Sequence, residues 1–170
     1  MKALPTLGFS EAVKRASGRL FDFKGRSRRS EFWWWMLLVI IASKLIPMFI
    51  FNIVLNLAAS VGIMFFGLSV TVRRLHDTGK SGWWVYASYA LSIVLTYLTV
   101  TSTTFMGIMA SVDKVGSMYR LIEENMGELV GLSLCSLLTT VISIIVIIMC
   151  LLDSTPAANK YGDSPKYIEE

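Results

Sequence analysis

Three long stretches of the chain are almost free of charge, and they restrict the fold more than any other feature. Residues 32–72 contain one charged side chain, Lys44, while residues 83–111 and 129–152 contain none. A helix needs about 20 apolar residues to cross the hydrocarbon core of a bilayer. The first stretch is long enough for two crossings and each of the others for one. The sequence therefore predicts an all-α membrane protein, a four-helix transmembrane bundle.

The ends of the predicted spans follow from charge and helix breakers. We expect spans over 32–51, 53–72, 83–109 and 129–152. Pro47 predicts a kink in the first span, where the freed backbone groups must be satisfied locally, and Arg73 predicts the end of the second. The predicted organisation is an N-terminal segment over 1–31, a transmembrane domain over 32–152 and a C-terminal tail over 153–170.

Two segments outside the spans carry an amphipathic pattern. In the first, apolar residues recur at helical spacing opposite basic ones, with Ser10 as the expected N-cap, at Phe9, Val13, Ala16 and Leu20. This pattern predicts a short amphipathic helix lying in the membrane interface. The second segment, residues 111–128, combines six charged residues with apolar positions at helical spacing. It predicts a charged outer helical segment.

The basic residues indicate an orientation. With the N-terminus inside, the inner segments hold thirteen Lys and Arg residues and the outer segments only Lys114 and Arg120. Cytoplasmic loops of membrane proteins are enriched in Lys and Arg. All five tryptophans also lie at the starts of the first and third spans, which four crossings place on one face. We therefore predict that both termini are cytoplasmic.

Charge and cysteine content limit the partners. The net charge is +4, and in so apolar a chain the expected partner is the anionic headgroup layer of a lipid bilayer rather than nucleic acid. Cys135 and Cys150 lie about 22 Å apart along one predicted helix, too far for a disulfide. The sequence contains no metal-binding spacing, and we expect no cofactor.

The polar residues that are hardest to explain as ordinary surface form three clusters on the predicted cytoplasmic side. Their sequences are FKGRSRRSEFW at 23–33, RRLHDTGKSGWW at 73–84 and NKYGDSP at 159–165. They resemble the F-x-G-R-x-x-R-x-x-F-W, R-R-L-H-D-x-G-x-S-G-W and N-x-Y-G-x-x-P signatures of a bacterial inner-membrane family of unknown function. It is catalogued as number 805 and includes the YhaH-like proteins. The resemblance spans about residues 20–165, and implies a four-span inner-membrane protein without an established activity.

The clustered arginines allow two interpretations. Guanidinium groups bind phosphate or carboxylate in a bidentate manner, and the internal carboxylates available to them are Glu31 and Asp77. One interpretation is structural, with arginine–carboxylate pairs that join helix ends. The other is a site for an anion or lipid headgroup, whose candidate residues are Arg26, Arg29, Arg73, Arg74, His76, Asn159 and Tyr161.

Single polar residues allow weaker hypotheses. Lys44 within the first span either extends towards the interface or faces a polar cavity between helices. His76 next to Asp77 could suggest acid–base chemistry, but we expect it to bond a helix end, and no catalytic residue is predicted. Gly79 and Gly82 predict the tight turn between two spans.

Three classes of function remain. We favour a non-enzymatic structural or regulatory membrane module that self-associates or binds another membrane protein. The alternative is a transporter, channel or binder of a small anion or anionic lipid headgroup. A membrane enzyme is disfavoured because no nucleophile or metal site is evident.

Overall fold

The computed structural model describes residues 1–168, which form seven α-helices and one pair of two-residue strands. In chain order these are β1 (Lys2–Ala3), α1 (Phe9–Ser17), α2 (Arg29–Met48), α3 (Ile53–Asp77), α4 (Trp83–Thr101), α5 (Thr103–Ala110), α6 (Val115–Glu124), α7 (Met126–Leu151) and β2 (Tyr167–Ile168).

Helices α2, α3, α4 and α7 are long and apolar enough to cross a membrane, with mean hydropathies of 1.4, 1.8, 1.3 and 2.8. Many of their large apolar side chains are exposed, among them Ile40, Phe65, Val94 and Ile147. Exposed apolar side chains around long helices are expected where lipid replaces water as the solvent. The predicted all-α membrane protein with four spans is confirmed.

Two predicted span ends were wrong. Helix α3 continues past Arg73 to Asp77, because a pair of arginines ends an apolar run without breaking a helix. Helix α4 ends at Thr101 rather than near Met109. There the side chain of Ser102 accepts a hydrogen bond from the backbone N–H of Phe105 at 2.9 Å and starts the separate helix α5.

Helix α1 packs against the first turns of α2. Ala12 and Ala16 are buried, and the ring of Phe9 meets Trp34 edge to face with centroids 5.5 Å apart. The predicted cap at Ser10 was wrong: Gly8 is the N-cap residue and Ser10 lies inside the helix. The helix begins two residues earlier than a cap at Ser10 would require.

Asparagine side chains stabilise the connection between α2 and α3. Asn52 caps α3 by accepting from the N–H groups of Val54 and Leu55 at 3.0 and 3.1 Å. The side-chain amide of Asn56 donates to the carbonyls of Pro47 and Ile50 at 2.9 and 3.0 Å. Backbone groups around the proline are thus satisfied locally, as membrane burial requires.

The chain divides into two compact units. One contains residues 1–85 and the chain from Ile147 onward, and the other contains residues 86–146. Within the second unit, Glu128 accepts hydrogen bonds from the hydroxyls of Ser102 at 2.6 Å and Thr104. In the same unit, helix α6 packs against α5 and buries none of its side chains.

The two ends of the chain meet in the first unit. Strands β1 and β2 pair antiparallel, with Lys2 opposite Ile168, and the N–H of Leu4 donates to the carbonyl of Lys166 at 2.8 Å. Because paired strands must share one side of the membrane, this contact agrees with an even number of crossings.

Candidate functional site

Polar side chains are concentrated where the start of α2, the end of α3 and the tail (residues 153–168) meet. The segment before α2 is held beside α3, because the N–H of Ser27 donates to the carbonyl of Arg73 at 3.0 Å. Two residues earlier the backbone turns at Gly25, whose φ of +77° is in the left-handed region that favours glycine. The turn directs the side chain of Arg26 towards the last turn of α3.

The carboxylate of Asp77 lies at the centre of this site and is fully buried. Its Oδ1 accepts from Nε of Arg26 at 3.0 Å. Its Oδ2 accepts from Nη1 of Arg74 and from the hydroxyl of Ser154. Arg74 and Asp77 lie one turn apart on α3, so the helix that extends past the arginine pair creates this contact.

The remaining donors of these two arginines bind the tail and the end of α7. Arg26 donates to the carbonyls of Ala157 and Gly162 at 3.0 and 3.2 Å, and also to the carbonyl of Thr155. Arg74 donates to the carbonyl of Cys150 at 3.0 Å and to that of Leu152. Both guanidinium groups therefore connect the end of α3 to backbone that follows the fourth span.

Arg73 contacts a different part of the protein from Arg74, because the side chains of consecutive helix residues point about 100° apart. Its Nη1 donates to the carbonyls of Arg19, at 2.7 Å, and Asp22. Its Nη2 pairs with the buried carboxylate of Glu31 at 3.3 Å. We call Arg26, Glu31, Arg73, Arg74 and Asp77 the arginine–carboxylate network. Among residues 1–168, Nε of Arg73 and the hydroxyl of Ser27 are buried without a hydrogen-bond partner.

The tail residues predicted at the site contact His76. Its imidazole stacks on the ring of Tyr161 with centroids 3.7 Å apart and planes 4° apart, and its Nδ1 lies 3.1 Å from the carbonyl oxygen of Gly25. The side-chain amide of Asn159 donates to the carbonyl of His76 at 3.0 Å. The side chain of His76 thus contacts the connection between α1 and α2 and packs against the tail.

Two predicted residues lie outside this group. Arg29 is exposed at the start of α2, and within the described chain it makes no hydrogen bond or ion pair. Its neighbour Arg28 is buried instead and donates to the carbonyls of Leu4 and Pro5 at 3.1 and 2.6 Å. Lys44 is exposed on α2, one turn before the helix ends. That position is the one from which a lysine extends to the interface.

Sequence reasoning missed the roles of Arg28, Ser154 and Thr155. The N–H of Thr155 donates to the carbonyl of Asp77 at 3.0 Å, which joins the tail directly to α3. The only sequence signal was the placement of two hydroxyl residues immediately after the fourth span, since hydroxyls at a chain exit commonly bond nearby backbone.

An ion pair outside the spans joins two residues of the tail, Asp153 and Lys166. Nζ of Lys166 lies 2.7 Å from both carboxylate oxygens of Asp153. The hydrogen bond from Lys166, and then that from the N–H of Ser154, lower the pKa of Asp153 below its ordinary value. The same contact with Asp153 raises the pKa of Lys166.

The hydrogen-bond partners of the arginine side chains determine what this arrangement can do chemically. The five N–H donors of a guanidinium are directed, for Arg26 and Arg74, at carboxylate, carbonyl and hydroxyl oxygens of the chain itself. Among the described residues, no group of three His, Cys, Asp or Glu side chains could hold a metal ion. The arrangement is suited to fixing three chain segments against each other.

A family model described as "Protein of unknown function (DUF805)" matches residues 20–163. The matched region contains all three polar clusters almost in full and all four long apolar helices. No curated protein and no solved structure matches the chain.

Proposed function

The chain belongs to the DUF805 family, whose function is unknown, and we propose that it is a non-enzymatic structural or regulatory module of the bacterial inner membrane. In this proposal both termini and the arginine–carboxylate network are cytoplasmic. The distribution of Lys and Arg, thirteen against two between the two sides, supports that orientation. The pairing of β1 with β2 supports the placement of both termini on one side.

One observation carries the structural role: the buried carboxylate of Asp77 pairs with two guanidinium groups that also bind the tail. Removing one partner of a buried pair leaves an uncompensated charge and costs about 3–5 kcal/mol. The network therefore makes the end of α3, the start of α2 and the tail mutually dependent. A module built in this way presents a fixed surface on which partners can assemble.

The same geometry counts against an anion site formed by the buried arginines. An incoming phosphate would have to displace carbonyl and carboxylate acceptors that Arg26 and Arg74 already have. For Arg74 those acceptors include Asp77, three residues away on the same helix. Phosphate binding there would gain little free energy, because the chain already supplies the charge-assisted hydrogen bonds that a phosphate would offer to these arginines.

The partner that we propose is a second copy of the chain or another membrane protein. Small residues on α3 support this, since they let helices approach closely in lipid. At Gly62 a Cβ atom would meet nothing within 4 Å, so this part of the helix surface is open to a neighbour.

The network is tested with Arg74→Gln in the purified full-length protein, with the exposed Arg29→Gln as the matched control. We expect the Arg74 variant to unfold at a temperature about 10 °C lower, from a cost of about 3 kcal/mol and a shift of about 2–4 °C per kcal/mol. Trypsin should cleave its tail faster at Lys160 and Lys166. An unchanged melting temperature, together with stabilisation of the wild-type protein by inorganic phosphate, would favour the anion site instead.

The orientation is tested by labelling single cysteines in spheroplasts with a membrane-impermeant maleimide, in a background where Cys135 and Cys150 are serine. A cysteine at Asp113 should react in intact spheroplasts, and one at Asp163 only after lysis. Reaction of the Asp163 position in intact spheroplasts would reverse the proposed orientation without affecting the network.

A further inference from the structure

The charges at the network end of the first unit are unevenly paired. Five of the six described acids there form salt bridges, at Glu11, Asp22, Glu31, Asp77 and Asp153. Among the described residues at this end, Asp163 is the one acid without such a bridge. Seven cationic side chains there have no carboxylate within salt-bridge distance in the described chain, at Lys2, Lys14, Lys24, Arg28, Arg29, Lys80 and Lys160. Most carboxylates at this end are therefore already paired within the chain, and the exposed unpaired cations form a positively charged surface.

Three of these cations lie beside exposed aromatic rings. Arg29 precedes Trp33 by one turn of α2, and Lys80 lies three residues before Trp83, where α4 begins. The Trp33 and Trp83 side chains are 40% and 71% exposed. We call Phe21, Lys24, Arg29, Trp33, Lys80 and Trp83 the basic–aromatic rim.

Phe21 is the most informative member of the rim. It lies in the connection between α1 and α2 and is 87% exposed, although it is a large apolar ring. Lys24, also exposed, follows three residues later. A fully exposed apolar ring is unfavourable in water but suited to the membrane interface, where the ring can enter the boundary layer while a neighbouring cation stays at headgroup level.

Hydrogen bonds place the two halves of the rim at one end of the unit. Ser27, between Lys24 and Arg29, donates to the carbonyl of Arg73, and Arg26 pairs with Asp77. Lys80 follows Asp77 by three residues. The cations of both connections therefore lie near the end of α3, where spans begin and end.

We propose that the basic–aromatic rim binds the headgroups of anionic phospholipids. The ammonium and guanidinium groups contact the negatively charged headgroups, while the rings of Phe21, Trp33 and Trp83 enter the boundary between headgroups and acyl chains. This inference rests on the membrane placement in the proposed function. It assigns headgroup binding to residues whose cations are unpaired, rather than to Arg26 and Arg74, whose donors bind oxygens of the chain itself.

The test measures lipid selectivity by electron spin resonance, with the full-length protein in phosphatidylcholine vesicles and spin-labelled phosphatidylglycerol or phosphatidylcholine as the probe. One cation near the surface changes the affinity for anionic lipid about fivefold. We expect wild-type protein to prefer phosphatidylglycerol about fivefold, and the Lys24→Gln, Arg29→Gln, Lys80→Gln triple variant to prefer it less than twofold. The double variant Lys114→Gln, Arg120→Gln, with the same chemistry at predicted outer positions, should keep the wild-type preference.

Several results would overturn the proposal. These are an absence of preference in the wild-type protein, an equal loss in the double variant, or displacement of the labelled lipid by inorganic phosphate at constant ionic strength. If the triple variant does not fold, Lys80→Gln alone must still lower the preference. The network can fail independently: a normal melting temperature for Arg74→Gln contradicts it while the lipid preference stays intact.

Discussion

The imidazole of His76 lies parallel to the ring of Tyr161, with the centroids 3.7 Å apart and the planes 4° apart. The contact joins the last turn of α3 to a residue that follows the fourth span. Nδ1 of the same imidazole faces the carbonyl oxygen of Gly25, so one side chain touches three separate segments. Its contribution can be separated from that of the network, because no network residue supplies either ring.

Replacing Tyr161 tests the stacked contact. We expect Tyr161→Ala to destabilise the protein by about 1 kcal/mol beyond the loss of buried area, since aromatic pairs contribute about 0.5–1.5 kcal/mol in double-mutant cycles. Tyr161→Phe keeps the ring and should unfold like the wild-type protein. The measurement is a double-mutant cycle of Tyr161→Ala with His76→Ala by chemical unfolding in detergent. Additive losses would show that the stack contributes nothing.

A close approach at Gly82 leads to a second prediction. A Cβ atom there would lie 2.8 Å from Cγ1 of Val72, closer than real contacts allow, and 3.2 Å from Nε2 of His76, which is tight. Gly82→Ala must therefore displace the start of α4 or the end of α3, and we expect a loss of about 1–3 kcal/mol, as for an overpacked core. Gly62→Ala, at a position with no neighbour within 4 Å, is the control in thermal unfolding. Equal melting temperatures for the two variants would contradict the close approach.

The Asp153–Lys166 ion pair predicts a pH dependence at the acid end. Because Lys166 lowers the pKa of Asp153 from its ordinary 3.8, the stabilisation is complete above that value. It is lost as the pH falls through the lowered pKa of the folded state. Lys166→Gln should therefore melt at a lower temperature than the wild-type protein at pH 6, and the difference should shrink as the pH falls through the lowered pKa of Asp153. Lys160→Gln, which removes a nearby lysine without a carboxylate partner, should show no such convergence.

Arg28 should keep the N-terminal segment in its ordered conformation. Its guanidinium donates to the carbonyls of Leu4 and Pro5, and β1 lies immediately before them. In Arg28→Gln we expect faster hydrogen exchange at Leu4, whose N–H donates to Lys166, with little change in the spans. The exposed neighbour variant Arg29→Gln should exchange as the wild-type protein does. Unchanged protection in Arg28→Gln would mean that strand pairing alone orders this segment.

The spans could be predicted from sequence because the free-energy cost of placing a charge in the membrane depends on the residues of each segment alone. Runs of residues without charge therefore locate each crossing within a few positions. The error at α3 has the same origin, since Arg73 marks the end of an apolar run but not of a helix. At the start of α2, the sequence could not distinguish Arg28 from its neighbour. Which of the two is buried depends on where the helix begins.

The partners within the site lie too far apart in the chain to be predicted. The sequence identifies Glu31 and Asp77 as ion-pair candidates. Nothing in it, however, assigns Asp77 to Arg26, 51 residues away. Most acceptors of these arginines are backbone carbonyls, which every residue has. Only the fold determines which carbonyls, such as that of Thr155, turn towards a guanidinium.

The contact between Arg26 and the carbonyl of Ala157 has a consequence for biosynthesis. The two residues are 131 positions apart, so at about 5–20 residues per second a ribosome needs about 7–26 s to supply the second after the first. Throughout that interval Arg26 lacks its acceptors in the tail, and the nascent chain cannot complete this end of the protein. A product released before Thr155 would lack those acceptors permanently.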